Sequence, residues 1–489
     1  MAAPLVSVVN LGCRVNRVES DHMIEGLARA GLSCVAERDA DLVVINTCAV
    51  TGEAEAKTRK AVRRALAQPR EPLVVVTGCA VNLHPGELEA FSPRVVEEPR
   101  KDRVPARALE LLGLARAGEG GEGAVGAGAD AGAAVPAAGA DEVAPVAADA
   151  NEKGPEGAAA ASAAVAPAAD SPVAGQDLPQ LLGRSRLGVK IQDGCNNRCS
   201  YCIVWRARGP ERSEPAPAVV AEVREAARSG VPEVVLTGVN LAAYRWVLPE
   251  GGTLGLDGLI TRILNETDIA QVRLSSLEPL DVTDDLVDVM AGSSGRVAPF
   301  MHLPLQSGCT ATLRRMRRPY TAERYAEVVD RIRAGVPSIA IACDVIVGFP
   351  GETDGEFEES YAFCERMGFS RMHVFRYSAR PGTPAAEAPD PVPPQVMAER
   401  SARLRDLGER MARADAARRI GTVERAVLED GACGTLGSFH RVVVDDLPAD
   451  PPAPVAGSVV QDSSARLIEV AIMSMDDDGL LHGRLASQA

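Results

Sequence analysis

Three apolar runs near the start of the chain, SVVNLGC (7–13), ADLVVINTC (40–48) and PLVVVTGC (72–79), are nearly continuous, and segments of helical spacing separate them. Unbroken Val-rich runs of this length mark strands buried on both faces. Their alternation with helices predicts a parallel α/β domain over residues 1–114. In such a sheet the loops after the strands gather along one edge. Each run ends at a cysteine, so Cys13, Cys48 and Cys79 are expected to converge although they lie far apart in sequence.

Residues 116–175 break the pattern, holding no Leu, Ile, Met, Phe, Tyr, Trp or Cys and consisting mostly of Ala, Gly, Pro, Val and acids. Such a stretch cannot bury enough apolar surface to offset the entropy of ordering it. A disordered linker over 115–180 follows, tethering two folded parts loosely and carrying no chemistry.

Over 181–420 the alternation resumes with RLGVKIQ, the helical AVVAEVREAARSG, VPEVVLTGVN, VRLSSLEP, MHLPLQSG, the helical YTAERYAEVVDRIRAG, IAIACDVIVGFPGET and MHVFRYSARPG. Repeated βα units predict a parallel barrel or part of one, with functional groups just past each strand. The chain places Cys195, Asn240, Glu278, His302 and the GFPGET turn there. Helical spacing continues through 396–420, where seven arginines stand against four acids, a pattern read as a solvated face with internal pairs. The segment VERAVLEDGACGTLGSFHRVVVDD alternates and turns, which predicts a compact, antiparallel β domain over 421–489.

The net charge of −15 changes this picture less than it suggests. Nine acids against two bases in 116–175, and eight against two in 443–489, leave the remainder at only −2. Acidity confined to two segments does not exclude a basic surface elsewhere. No apolar run approaches a membrane span, and the first residues lack a basic stretch followed by an apolar one, so a cytoplasmic protein without membrane contact is expected. Eleven cysteines, an odd number with no secretory signal, favour metal or catalytic thiols over disulfides.

The stretch DGCNNRCSYC sets Cys195, Cys199 and Cys202 at the spacing C-x3-C-x2-C. A closed zinc site takes four ligands, commonly two paired C-x2-C knuckles. Here the fourth is missing, since the next cysteine, Cys309, belongs to a different βα unit. Three thiolates on an iron–sulfur cube leave one iron open to an outside ligand. Cys13, Cys48 and Cys79 repeat the number three; a cysteine at a strand end can also be a small buried hydrophobe, but three at equivalent ends favour a shared metal site. Cys34, Cys309, Cys343, Cys364 and Cys433 lack paired spacing and read as buried thiols.

C-x3-C-x2-C after the first barrel strand resembles the radical S-adenosylmethionine (SAM) superfamily. The motifs NLGCRVN, INTCAVTGEAEAKTRK, VTGC, KIQDGCNNRCSYCIV, RGPERS, LTGVN, SSLEP, MHLPLQSGCTATLRRMRRPYT, DVIVGFPGETDGEF and VFRYSARPGTPAA resemble its methylthiotransferases over nearly all of the chain outside the linker. LGCRVN and MRRPYT look most like the branch that modifies threonylcarbamoyladenosine beside the tRNA anticodon. The resemblance implies an N-terminal Rossmann or flavodoxin-like domain, a central partial (β/α)6 TIM-like radical SAM barrel, and a C-terminal TRAM β-barrel that binds RNA.

The same resemblance implies that Cys195, Cys199 and Cys202 bind the SAM-cleaving [4Fe-4S] cluster and that Cys13, Cys48 and Cys79 bind an auxiliary [4Fe-4S] cluster that presents sulfur. A 5′-deoxyadenosyl radical would take hydrogen from C2 of the adenine, and a second SAM would supply the methyl group. Tyr201 falls beside the SAM adenine. Gly238 and Asn240 would let SAM approach, unless they only form a βα turn. Ser276 and Glu278 would bond ribose or methionine groups, unless they cap a helix. His302 and Gln306 point into the site by family match, although a lone His beside an apolar strand is more often a core residue. Gly348 and Gly351 bracket a turn beneath the adenine, while Asp344 and Glu352 read as structural caps.

For RNA, Arg314, Arg315, Arg317 and Arg318 form a basic run near Tyr320, and Arg206, Arg208 and Arg212 follow the cluster loop; a solvated charged face is the plainer alternative. Phe439, His440 and Arg441 look like the readable surface of the TRAM unit, although the acidic tail that follows weakens that expectation. The implied partners are the tRNA anticodon stem-loop and an electron donor such as flavodoxin or ferredoxin. Trp205 stands where the family usually has proline, and AVN follows VTGC where an aromatic is common. Competing readings are action on isopentenyladenosine in tRNA or on a ribosomal protein, and, from another class, an RNA-binding scaffold with structural metal.

Overall fold

Runs of Val and Ile without polar interruption form the strands of the first sheet in the computed structural model, which describes residues 4–114, 185–447 and 466–486. The strands are β1 (Leu5–Asn10), β2 (Ser33–Cys34), β3 (Leu42–Thr47), β4 (Leu73–Gly78) and β5 (Val95–Glu97). All pairs are parallel, in the order β2-β1-β3-β4-β5, the flavodoxin-like arrangement. Every residue of β3 is buried because apolar clusters cover both faces of the sheet. Asn10 pairs with Asn46 and Asn46 with Thr77, so β1, β3 and β4 end level. The helices α1 (Arg14–Arg29), α2 (Gly52–Leu66) and α3 (Cys79–Leu83) follow those ends.

Six more parallel strands make the centre: β6 (Arg186–Lys190), β7 (Glu233–Thr237), β8 (Gln271–Leu274), β9 (Phe300–His302), β10 (Ala340–Val347) and β11 (Arg371–Arg376). They form two sheets, β8-β7-β6 and β9-β10-β11, joined by parallel bridges from Val272 to Val297 and from Ser276 to His302. The result is the expected open barrel. Three of its helices start at threonine side-chain caps, Thr283, Thr321 and Thr353, the last in a full capping box with Glu356. The largest apolar cluster of the protein fills the space between these strands and helices.

The last unit is a closed five-stranded barrel of β12 (Val423–Asp430), β13 (Cys433–Leu436), β14 (Arg441–Val444), β15 (Arg466–Met475) and β16 (Leu481–Leu485). It is not wholly antiparallel as expected, for β14 and β16 pair in parallel. The long helix Pro394–Ala417 packs along β11 and reaches β15. Its arginines are not all solvated. Arg400 is buried against Glu352, while Arg419 just beyond the helix is buried against Asp415 and Glu424. The expected linker lies outside the described residues, and among those described no helix is long and apolar enough to cross a membrane.

Candidate cluster-binding site

Level strand ends bring the first cysteine triad together. Cys13 is the N-cap of α1, Cys48 follows β3, and Cys79 opens α3. Asn16 ties these loops, with its Nδ2 donating to Leu11 O and Thr47 O at 2.8 Å each. Thr47 Oγ1 accepts from Ala80 N at 3.1 Å and donates to Thr77 O at 2.7 Å. Burial pushes the Cys48 thiol pKa up, and nearby Cys79 and Cys13 push the same way; burial also raises Cys79, against the pull of Arg208 and Lys101. Gly12 sits at φ 118°, where a Cβ would stand 2.6 Å from Cys48 Cβ and 3.0 Å from its Sγ. Only glycine leaves that corner free. Among the described residues, no three His, Cys, Asp or Glu side chains draw together tightly enough for a single metal ion. A cube of several irons spreads its ligands more widely than one ion does.

The second triad lies in the loop after β6. Cys195 N donates to Gly209 O at 3.1 Å, Cys202 N to Cys199 O at 3.2 Å, and Val204 N to Cys202 Sγ at 3.4 Å. Burial pushes the Cys202 pKa up to about 12, with Cys199 and Cys195 adding to it. The loop is fixed from three sides. Ser200 Oγ donates to Arg315 O at 2.7 Å, Ala385 N donates to Ser200 O at 2.8 Å, and Gln192 Nε2 donates to Gly194 O at 2.9 Å. Gln192 Oε1 accepts from Val239 N and Asn240 N at 2.9 Å each, joining the loop to the LTGVN turn. A Cβ at Gly238 would meet the Gln192 side chain at 3.0 Å, so the small residue serves this packing.

Above the loop, Tyr201 meets Phe349 edge-on, with ring centroids 6.5 Å apart, in a cluster with Met316 and Ala385. Asn240 is buried; its Nδ2 donates to Asp281 at 3.4 Å, and its Oδ1 has no partner. Deeper in the barrel, His302 Nδ1 lies 2.6 Å from Ser276 Oγ and its Nε2 lies 3.0 Å from Asp344 Oδ1. Asp344 thus belongs to the interior and caps no turn. Glu352 does cap, accepting from Gly348 N at 2.6 Å. Gln306 bridges to Val345 at φ 69°, a left-handed conformation that a non-glycine residue holds only under constraint.

Two family models match, "Radical SAM superfamily" over residues 189–364 and "Uncharacterized protein family UPF0004" over residues 5–97. The threonylcarbamoyladenosine tRNA methylthiotransferase MtaB of Bacillus subtilis (strain 168) is 32% identical over 429 residues, 83% of this chain and 81% of its own. A tRNA-2-methylthio-N(6)-dimethylallyladenosine synthase of Novosphingobium aromaticivorans (strain ATCC 700278 / DSM 12444 / CCUG 56034 / CIP 105152 / NBRC 16084 / F199) is 33% identical over 402 residues, 81% of this chain and 80% of its own. Another of Anaeromyxobacter dehalogenans (strain 2CP-C) is 35% identical, covering 93% and 90%. The chain belongs to the radical SAM methylthiotransferases.

As a methylthiotransferase of this family it is an enzyme whose cofactors are SAM and two [4Fe-4S] clusters. Three features fit those groups: two convergent thiol triads, the corner kept open at Gly12, and the unpartnered Asn240 Oδ1, an acceptor for a SAM donor group.

The structure corrects several RNA expectations. Arg318 is buried, not surface: its Nη1 donates to Cys199 Sγ at 3.2 Å, its Nη2 pairs with Glu278, and Tyr320 OH accepts from its Nε at 3.0 Å. Glu278 accordingly holds Arg318 and caps no helix end with its side chain. Arg208 lies between the first domain and the barrel, donating to Glu19 at 3.1 Å and Asp193 at 2.9 Å. Arg315 is locked to Glu356 at 2.7 and 2.9 Å. Arg206, Arg314 and Arg317 are exposed. Arg212 is exposed and pairs with Asp193 at 2.7 Å. His440 is half-buried against Asp415 at 3.3 Å, which takes it off the expected surface, while Arg441 is exposed and pairs with Glu429. Phe439 turns inward, packing on Phe300 with centroids 4.8 Å apart. Of the two departures from family pattern, Asn82 of AVN reaches the segment after the cluster loop, its Nδ2 donating to Ala207 O at 2.9 Å, and Trp205 carries Arg198 of that loop at 4.5 Å.

Sequence reasoning missed Gln192, the Glu19–Arg208–Asp193 network and the arginines around Phe439. Gln192 had a signal, standing three residues before the cluster motif. The others join residues up to 425 positions apart, as Arg14 and Phe439 are, and left no local trace.

Proposed function

We propose that this protein is the methylthiotransferase that acts at C2 of threonylcarbamoyladenosine at position 37 of tRNA, within the anticodon stem-loop. The observation that carries the reading is the packing of α3, which Cys79 opens, on the segment that follows Cys202, where Asn82 Nδ2 donates to Ala207 O at 2.9 Å. Asn16 of LGCRVN is bonded beside the first triad, and Arg318 of MRRPYT is bonded to Cys199. In this reading Cys195, Cys199 and Cys202 hold the SAM cluster, and Cys13, Cys48 and Cys79 hold the auxiliary one. When bound, these groups supply a carbon-centred radical and the sulfur and methyl to be inserted.

The chain's own residues bind and orient. Arg318 donates to Cys199 Sγ at 3.2 Å, which orients that sulfur and would place a positive charge beside the bound cluster. Asn240 Oδ1 accepts from the SAM amino group, and Tyr201 with Gly348 flanks its adenine. Ser276 and Asp344 engage both nitrogens of the His302 ring and fix its orientation, and Gln306 offers its amide to the bound groups. Arg206, Arg314 and Arg317, exposed near the cluster loop, contact RNA phosphates, and a flavodoxin or ferredoxin supplies electrons. The test is mass spectrometry of tRNA nucleosides with and without this protein. Loss of the methylthio group from threonylcarbamoyladenosine is expected. Loss from dimethylallyladenosine alone would transfer the assignment to the other branch, whose members are equally similar in sequence.

A further inference from the structure

Four guanidinium groups surround the ring of Phe439. Those of Arg273, Arg371, Arg14 and Arg186 lie 5.0, 4.9, 5.6 and 5.9 Å from its centroid. A cavity of about 300 Å³ opens beside the ring, lined by Arg14, Arg17, Arg186, Arg273, Thr237 and Asp21, while Arg371 meets the same ring from outside that lining. Two of the four are spoken for: Arg273 forks onto Glu233 at 2.9 Å per bond, and Arg186 pairs with Glu429. Arg14 and Arg371 form no ion pair among the described residues, although Arg273 and Arg186 crowd the same ring. Arg14 and Arg371 are both exposed, so these cations, held side by side next to an aromatic ring, stand open to an anion arriving from solvent.

The cavity's place says which one. Arg14 directly follows Cys13, so it borders the first triad. Arg371, His373 and Phe375 alternate along β11, opposite to Met372 and Val374, which pack on the core. His373 stands 6.0 Å from His302, ring to ring, which joins the arginines to the barrel interior. Phe375, four positions along the same strand face from Arg371, is 46% exposed, a flat apolar surface on which a purine can stack. In an adenine, C2 and N6 share one edge. A base with C2 turned toward Cys13 therefore carries its N6 substituent toward Arg14 and Arg371.

We propose that Arg14 and Arg371 bind the carboxylate of the N6-threonylcarbamoyl group and so select this base over one with an apolar N6 substituent. The inference rests on the substrate reading above and adds the residues that enforce it. A threonyl-sized group suits a cavity of about 300 Å³, at the small end of ligand sites. A dimethylallyl group would strip water from the guanidiniums and return no hydrogen bond, the arrangement that gives sites their strongest discrimination.

The test uses the full-length enzyme with both clusters and anticodon stem-loops carrying threonylcarbamoyladenosine or dimethylallyladenosine. Arg14→Gln and Arg371→Gln are each expected to raise KM for the first RNA about 10- to 100-fold, as loss of one charged hydrogen bond does. Arg371→Lys should recover part of that loss, and activity on the second RNA should not fall in parallel. A probe independent of variant folding is the free threonylcarbamoyl nucleoside as a competitor of the wild-type enzyme. Its carboxyl methyl ester should compete at least 10-fold more weakly. Equal competition by acid and ester, or equal losses on both RNAs, overturns the proposal while the substrate assignment stands. A wild-type enzyme inactive on the first RNA overturns both.

Discussion

Replacing Arg208 by Met decides whether that residue belongs to the architecture or to an RNA surface. Its guanidinium donates to Glu19 and Asp193, which are 6% and 3% exposed. Burial alone would raise both carboxyl pKa values, yet Arg208 with Lys101 lowers Glu19, and Arg208 with Lys190 and Arg212 takes Asp193 to about 2. Removing one partner of a buried pair costs about 3–5 kcal/mol. Here Lys101, Lys190 and Arg212 remain to share the orphaned charge, which puts the cost near the lower figure, about 3 kcal/mol. For a cooperative unit of this size that is a fall in Tm of roughly 6–12 °C by calorimetry. Because Arg208 ties α1 to the cluster loop, the variant should also keep cleaving SAM while forming less methylthio product, the two triads no longer being held in register. The acid limb gives a second check: Asp193 is depressed, so its contribution is present at neutral pH and disappears as pH falls from about 4 to about 2. An Arg208→Met protein that melts like the wild type and shows only a raised KM for RNA would refute this reasoning.

Alanine at any one cysteine of either triad should lower iron from about eight to about four atoms per chain, whereas Cys309→Ala should keep about eight, since that thiol donates only to Glu359 at 3.2 Å. Gly348→Ala should destabilise the protein by roughly 2–4 kcal/mol in chemical denaturation, because φ is 74° and the new methyl would overlap Met397 Cγ; Met397→Ala in the same chain should recover part of it. His22 on α1 bonds Glu222 on the helix Ala216–Arg228 at 3.2 Å, and chiefly that hydrogen bond raises its pKa. The contribution is complete below about pH 6.5 and is lost as pH rises through the raised value, so the pH dependence of Tm above 6.5 should flatten in Glu222→Gln.

What local sequence determines is element type and the chemistry attached to it. The continuous Val runs forced buried parallel strands, and the cysteines at their ends had to share an edge because strands in one register end level. The C-x3-C-x2-C spacing likewise put three cysteines in one loop without a fourth. Charge was read less well, since a run such as Arg314, Arg315, Arg317 and Arg318 carries no record of which partner each side chain finds. Burial divided it: Arg318 went to Cys199, Arg315 to Glu356, and only the other two faced water. In the same way Asp344 became a partner of His302, and Phe439 left the expected RNA face to fill a ring of arginines drawn from β6, β8, β11 and α1. A short-range pattern can specify where a strand lies and which way its side chains alternate. The pairing of charges across hundreds of positions depends on which surfaces are desolvated together, and that exists only once the three units have packed.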